Sequence, residues 1–127
     1  MSENRPMQGL HLMADLRECA PEVPLADPDW LRVLCARAVQ EAGLHPVGEV
    51  FHPFLDARGQ ALGVTGVVLL AESHIAVHTW PELRGVTADV YVCNLGADNS
   101  ARARQLMSSL VAALRPGVQR VESVLRG

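Results

Sequence analysis

Lysine is absent from this sequence, because all 11 of its basic residues are arginine. A chain without lysine cannot form a Schiff base between its own side-chain amine and a carbonyl substrate, and it cannot hold pyridoxal phosphate in that way. Enzymes that depend on a lysine amine are therefore excluded for this chain alone.

Cysteines and clustered positive charge are also scarce. The three cysteines, Cys19, Cys35 and Cys93, are an odd number without a CxxC pair, which argues against a disulfide framework or a zinc ribbon. The arginines are scattered and the formal net charge is −3, so we expect no nucleic-acid partner. The longest apolar run, 61–71, is much shorter than a membrane-spanning helix, and the first residues lack the apolar core of a secretory signal. We therefore expect a cytoplasmic protein that has no membrane partner and keeps its thiols reduced.

A length of 127 residues with 49% hydrophobic content predicts a single domain, 1–127, with one core. Asp27 and Pro28 are suited to begin a helix that Gly43 ends, and Asp98 or Asn99 can cap a second helix before Pro116. Strand-like segments are 10–16, 46–55, 64–71, 75–80, 87–93 and 118–124, and residues 56–63 are the most loop-like.

The resulting order is β-α-β-β-β-β-α-β with short connections between the middle strands, which favour antiparallel neighbours. The predicted fold class is α+β, a two-layer α/β sandwich with a mainly antiparallel sheet and two helices on one face. The continuous apolar run 67–70 indicates a strand that is covered on both faces or held in a dimer interface. We expect a homodimer, because two helices are few to cover such a sheet.

Polar and titratable residues concentrate in the segment 72–82, ESHIAVHTWPE, directly after the most apolar strand. On a helix, His74 and His78 would share one face and could bind a metal. The alternating Ile75, Val77 and Thr79 predict a strand instead, on which four residues separate the imidazoles by roughly 13 Å. A shared metal is therefore not expected, and two half-buried, hydrogen-bonded histidines remain an alternative. A serine hydrolase is not favoured, because Ser73 lies in no G-x-S-x-G elbow.

This segment and several others resemble the short prokaryotic S-adenosylmethionine decarboxylases. The signature of that family is approximately ESHxxxHTWPE with a cysteine twenty residues after the serine, and Cys93 has that spacing from Ser73. The likeness extends to GLHLMADLREC at 9–19, VFHPF at 50–54, GVTGVVLLAE at 63–72 and TADVYVC at 87–93. It thus spans most of the chain.

The resemblance implies a self-processing enzyme with a pyruvoyl cofactor. In the family the serine hydroxyl attacks the preceding carbonyl, here that of Glu72, and replaces the amide by an ester. Elimination then leaves dehydroalanine, which hydrolyses to a pyruvoyl group at position 73. The products would be a β chain, 1–72, and an α chain, 73–127. By resemblance His78 removes the α-proton of the serine, and Thr65 stands where the family usually has a serine that assists processing.

The resemblance also assigns residues to the decarboxylation of S-adenosylmethionine, which yields the aminopropyl donor for spermidine. Cys93 would return a proton to the decarboxylated product, Phe54 would stack on adenine, and Glu82 would accept hydrogen bonds from the ribose. Strand alternation places Cys93 on one face with Asp89 and Tyr91, away from the apolar set. A buried inert cysteine, which we assume for Cys35, a core Phe54 and a solvated Glu82 remain alternatives.

Three departures from the family pattern leave other functions open. Asn94 replaces a usual glycine, Thr65 replaces serine, and the loop after Phe54 is longer than expected. A pyruvoyl-dependent ornithine or arginine decarboxylase is the first alternative. The second is a relative that does not process itself and instead binds a nucleoside or regulates a partner enzyme.

Overall fold

A computed structural model describes residues 8–127, in which two α-helices lie on one face of a six-stranded sheet. Every neighbouring pair of strands is antiparallel, and the spatial order is β2-β3-β4-β5-β1-β6. A short 3-10 helix, Pro81–Leu83, connects β4 to β5. The predicted α+β sandwich is confirmed. In chain order the elements are β1 (Gly9–Arg17), α1 (Pro28–Glu41), β2 (Pro46–Leu55), β3 (Ala61–Leu70), β4 (Ser73–Trp80), β5 (Gly85–Cys93), α2 (Ser100–Leu114) and β6 (Val118–Arg126).

The two helices begin with aspartate caps. The Asp27 carboxylate accepts the backbone N–H groups of Asp29 and Trp30 at 3.0 and 3.2 Å, as expected for an N-cap. At α2 the Asp98 carboxylate accepts the Ser100 N–H at 3.0 Å, and this hydrogen bond lowers the pKa of Asp98. Asn99 occupies the N-cap position without a capping bond from its side chain, so Asp98 supplies the cap.

The hydrophobic core lies between the helices and one face of the sheet. Burial alternates along the strands, and both helices turn their apolar stripes toward the same side. Cys35 is fully buried there, and burial raises the pKa of its thiol to about 12, which fits the inert thiol assumed for it. The largest fully buried side chains include Leu10, Leu16, Leu25, Leu31, Ile75, Leu106, Leu110 and Leu114.

The other face of the sheet, which we call the open face, carries apolar side chains that no helix within residues 8–127 covers. Val50 is 67% exposed and Leu69 is 49% exposed. The expectation that the run 67–70 is covered on both faces is therefore wrong for a single chain, because both helices occupy the opposite face. The dimer interpretation of this run stays a prediction.

The predicted loop 56–63 is shorter in the structure, since β3 already begins at Ala61. The Asp56 carboxylate closes a tight turn by accepting the N–H groups of Arg58 and Gln60 at 2.8 and 2.9 Å. The strand can then pass close to β4 because Gly63 lies against the Thr79 carbonyl, where a Cβ atom would collide. Within residues 8–127, neither helix has the length and hydrophobicity needed to cross a membrane.

Candidate active site

Ser73 and Cys93 lie side by side at one end of the sheet. Ser73 is the first residue of β4 and Cys93 the last of β5, and antiparallel pairing brings these two ends together. The Cys93 N–H donates to the Ser73 hydroxyl oxygen at 3.2 Å. Cys93 is 8% exposed and follows Asp89 and Tyr91 on the open-face side of β5. The structure therefore brings together the predicted cofactor precursor and the predicted proton donor.

The residue before Ser73 has an unusual backbone conformation. Ala71 and Glu72 form a two-residue turn between β3 and β4, in which Leu70 pairs with Ser73. Glu72 has a φ of +60°, a value that glycine or asparagine normally supplies at the second position of such a turn. Holding a larger residue there costs about 1–3 kcal/mol. The backbone strain thus lies at the predicted cleavage site.

A network of asparagines, which no sequence pattern had indicated, holds the backbone of Cys93 from the other side. The Asn99 amide donates to the Cys93 carbonyl at 3.2 Å, and the Asn99 N–H donates to the Asn94 side-chain oxygen at 2.8 Å. Asn94 also donates to the Ser100 hydroxyl at 3.0 Å. The replacement of the usual glycine by Asn94 is therefore built into the loop that positions Cys93.

A second cluster forms at the opposite end of β4. Thr65 and His78 face each other across β3 and β4, and the threonine hydroxyl lies 3.0 Å from Nδ1 of the imidazole. Both line a cavity of about 340 Å³ together with Phe54, Trp80 and Glu82. Phe54 is 46% exposed, so it is not a core residue. The predicted substrate-binding residues thus meet the predicted processing residues in one cavity.

Thr79, between the cavity residues His78 and Trp80, has a structural task. Its buried hydroxyl donates to the Leu25 carbonyl at 2.7 Å and accepts the Val64 N–H at 2.9 Å. These bonds fix β4 to β3 and to the segment before α1. Thr79 also lines the cavity, and its hydroxyl secures the base of the cavity, which explains a threonine at this point of the motif.

One chain does not bring the two clusters together. Ser73 and His78 are five residues apart on an extended strand, which corresponds to roughly 17 Å, whereas proton transfer needs about 3 Å or one intervening water. The strand itself is confirmed, so His74 and His78 are also too far apart to share a metal. His74 is exposed, while His78 is half-buried and hydrogen-bonded.

Between the clusters, the open face carries polar pairs that sequence reasoning missed. His11 Nε2 lies 3.0 Å from the Asp89 carboxylate, and the rings of His74 and Tyr91 have centroids 5.7 Å apart. The sequence pattern that could have predicted these pairs is the alternation of polar residues with buried apolar ones along β1, β4 and β5. The open face is thus partly polar beside Ser73 and more apolar over β2 and β3.

Comparison with known proteins places the chain among the pyruvoyl-dependent decarboxylases, whose cofactor forms from a serine of the chain itself. The sequence profile of a family described as S-adenosylmethionine decarboxylase matches residues 10–127. That match covers nearly the whole chain. The chain therefore belongs to the S-adenosylmethionine decarboxylase family.

Individual relatives support the same assignment. The S-adenosylmethionine decarboxylase proenzyme of Pyrococcus furiosus is 32% identical over 121 residues, which cover 91% of this chain and 83% of the relative. The proenzyme of Aquifex aeolicus is 38% identical over 108 residues, which cover 85% of this chain and 73% of the relative. A crystal structure of the adenosylmethionine decarboxylase from Aquifex aeolicus is similar with a TM-score of 0.77 and 32% identity, and the match covers 96% of this chain and 91% of that one.

Proposed function

We propose that this chain cleaves itself between Glu72 and Ser73 and then, as a homodimer in the cytoplasm, decarboxylates S-adenosylmethionine to the aminopropyl donor for spermidine. The observation that carries the proposal is the strained Glu72 directly before a serine whose hydroxyl is held by the Cys93 N–H. The cytoplasmic location agrees with three cysteines that are all free thiols.

The strained turn favours cleavage at this peptide bond. Attack of the Ser73 hydroxyl on the Glu72 carbonyl breaks the amide and forms an ester, and the serine nitrogen takes up the proton. Removal of the Ser73 α-proton by a base then expels the Glu72 carboxylate, which separates chains 1–72 and 73–127 and leaves dehydroalanine at residue 73. Hydrolysis of this residue by water releases its nitrogen as ammonia and leaves the pyruvoyl group. The backbone energy stored at Glu72, about 1–3 kcal/mol, is released once the chain is cut.

The surroundings of Ser73 suit the cofactor that this processing produces. The Cys93 N–H donates to the Ser73 hydroxyl oxygen, which leaves with the Glu72 carboxylate during processing, so this N–H and the Cys93 side chain remain beside the new pyruvoyl group. The pyruvoyl group supplies the electron sink for the pair released with carbon dioxide, a role that lysine-bound pyridoxal phosphate fills elsewhere. Cys93 then returns a proton to the substrate carbon, which its nearness to residue 73 supports.

The cavity at the other end of β4 suits a nucleoside. Phe54 offers an exposed ring face on which adenine can stack. Glu82 offers a carboxylate that accepts hydrogen bonds from ribose hydroxyls. Trp80 contributes an apolar side chain to the cavity wall, and its ring centroid lies 6.0 Å from that of His78. Ornithine and arginine have neither an aromatic base nor a ribose to use these groups.

Pairing with a second copy of the chain would bring the two clusters together. Because they lie at opposite ends of β4, a two-fold axis near the middle of that strand would set Ser73 and Cys93 of one chain against the partner's cavity. The partner's His78 could then serve as the base, since His78 of the same chain lies roughly 17 Å from Ser73 along β4. The exposed apolar residues Val50 and Leu69 supply a surface for such a contact.

Intact mass measurement tests the processing. Aged protein should show the fragments 1–72 and 73–127, and Ser73→Ala should remain whole while Ser108→Ala, a control on exposed helix surface, is cut normally. A single whole wild-type chain would contradict the proposal and favour a relative that does not process itself.

Carbon dioxide release from labelled S-adenosylmethionine, ornithine and arginine tests the substrate on the cleaved enzyme. Turnover of ornithine or arginine without turnover of S-adenosylmethionine would refute the assigned substrate while leaving the processing intact.

A further inference from the structure

The two edges of the sheet differ in how they are protected. The edge strand β2 contains Pro46 and Pro53, and its pairing with β3 shifts register at two places. Prolines and bulges of this kind prevent an edge from pairing with another strand. The edge strand β6 contains neither proline nor glycine, keeps one register with β1 over all nine residues, and is exposed throughout. It therefore offers a regular template for a further strand.

The sequence of β6 is complementary to itself when read in opposite directions. Residues 118–124 read VQRVESV, with Val121 at the centre. At equal distances on either side of Val121 lie an arginine and a glutamate, then two uncharged polar residues, then two valines. We infer that β6 pairs antiparallel with β6 of a second copy about a two-fold axis at Val121. This pairing places Val118 opposite the partner's Val124, Gln119 opposite the partner's Ser123, and Arg120 opposite the partner's Glu122.

Other registers of the same pairing are unfavourable. Centring on Arg120 or on Glu122 sets like charges directly opposite each other, which destabilises a strand pair. A shift by a single residue turns the partner's helices to the other side of the sheet and exchanges the side chains between its faces. Of the registers centred on residues 120–122, only the one centred on Val121 avoids both faults.

The side chains around Val121 are suited to the contact. On the helix side, Val121 lines an apolar groove of about 440 Å³ with Leu12, Met107 and Val111. The partner's Val121 would extend the floor of this groove across the axis. On the open face, Arg120 lies 3.5 Å from Asp15 and 3.6 Å from Glu122 of its own chain, and Arg120 and Glu122 are both exposed enough to turn toward a partner. The charges on this edge thus attract a second copy instead of repelling it.

This contact uses a different surface from the one proposed for activity. The open face unites the two halves of the active site, whereas the β6 edge joins two sheets side by side. With both contacts the enzyme contains four chains, and loss of the edge contact leaves an active pair.

The mass of the assembly tests this inference. Val121→Lys places two positive charges together at the axis and should halve the mass measured by light scattering or sedimentation, with decarboxylase activity per chain retained. Leu125→Lys is the matched control, because Leu125 is on the same strand and face, is 83% exposed and lies outside the complementary segment. Equal masses for the wild type and Val121→Lys would overturn the proposal.

Cysteine cross-linking tests the register. Under mild oxidation Val121→Cys should form a disulfide between chains, since directly opposite Cβ atoms lie about 4.5–5.5 Å apart and a small shift of an edge strand brings them to the roughly 3.5–4.5 Å of a disulfide. Gln119→Cys should not, whereas a mixture of Gln119→Cys and Ser123→Cys chains should cross-link. Equal cross-linking of Gln119→Cys alone would refute a pairing centred on Val121.

Discussion

Two inactive variants should restore activity when they are combined in one dimer. The first is Ser73→Ala, which removes the cofactor precursor, and the second is Phe54→Ala with Glu82→Gln, which removes the nucleoside contacts. If each active site takes residue 73 from one chain and the cavity from its partner, a mixed dimer contains one complete site. Both variants keep His78, so processing of the intact serine is not disturbed.

The nucleoside contacts of Phe54 and Glu82 determine how much activity the cavity variant loses. The lost stacking is worth roughly 0.5–1.5 kcal/mol beyond area burial, and hydrogen bonds to a charged acceptor are worth about 1.5–3 kcal/mol. The cavity variant alone should therefore lose tens to thousands-fold in kcat/KM. Random pairing makes about half of the dimers mixed, each with one of two sites complete, so about a quarter of wild-type activity should return.

The assay is carbon dioxide release from S-adenosylmethionine after the two chains are expressed together. As a control, the three substitutions are placed on one chain and expressed with wild type. In that arrangement the mixed dimers have no complete site, so only the wild-type pairs remain active.

Refutation would come from the opposite pattern. If the mixed variants stay inactive while the control retains half of the wild-type activity, each site is made within one chain. The separation of roughly 17 Å along β4 would then have to close by a rearrangement of β4 itself.

Further predictions concern single residues. His78→Ala should accumulate the ester, which hydroxylamine cleaves, because the ester forms before its base acts; processing at the normal rate would disprove this role. Thr65→Val should slow processing by removing the hydroxyl 3.0 Å from His78, whereas Thr65→Ser should not. Equal processing rates for Thr65→Val and Thr65→Ser would show that this hydrogen bond has no part in processing. Cys93→Ala should still be cut but lose much of its turnover; unchanged turnover would make Cys93 inert. Burial raises the pKa of Cys35 from 9.0 to about 12, so its stabilising contribution is complete below pH 9 and declines toward pH 12. Urea unfolding should show a shallower alkaline decline for Cys35→Ala than for wild type.

Local signals in the sequence predicted most of the elements. Asp27 and Pro28 marked the start of α1, and the β-branched residues Ile75 and Val77 identified a strand where two histidines could have suggested a helix. These features depend on neighbours in sequence, so pattern and capping chemistry are enough to find them. The loop 56–63 was assigned less well, because the close contact of Gly63 with β4 depends on tertiary structure.

The sequence by itself determined the family, the sandwich and the residues of the candidate site, since the ESHIAVHTWPE motif and the strand alternation are written in consecutive residues. Only the tertiary structure decided which of those residues meet. Strand pairing joined Ser73 to Cys93 and Thr65 to His78, and it set Glu72 in a strained turn. The same extended strand kept Ser73 from His78, because residues close in sequence are far apart along β4. Distances across a sheet follow from the order of its strands, which no local pattern contains.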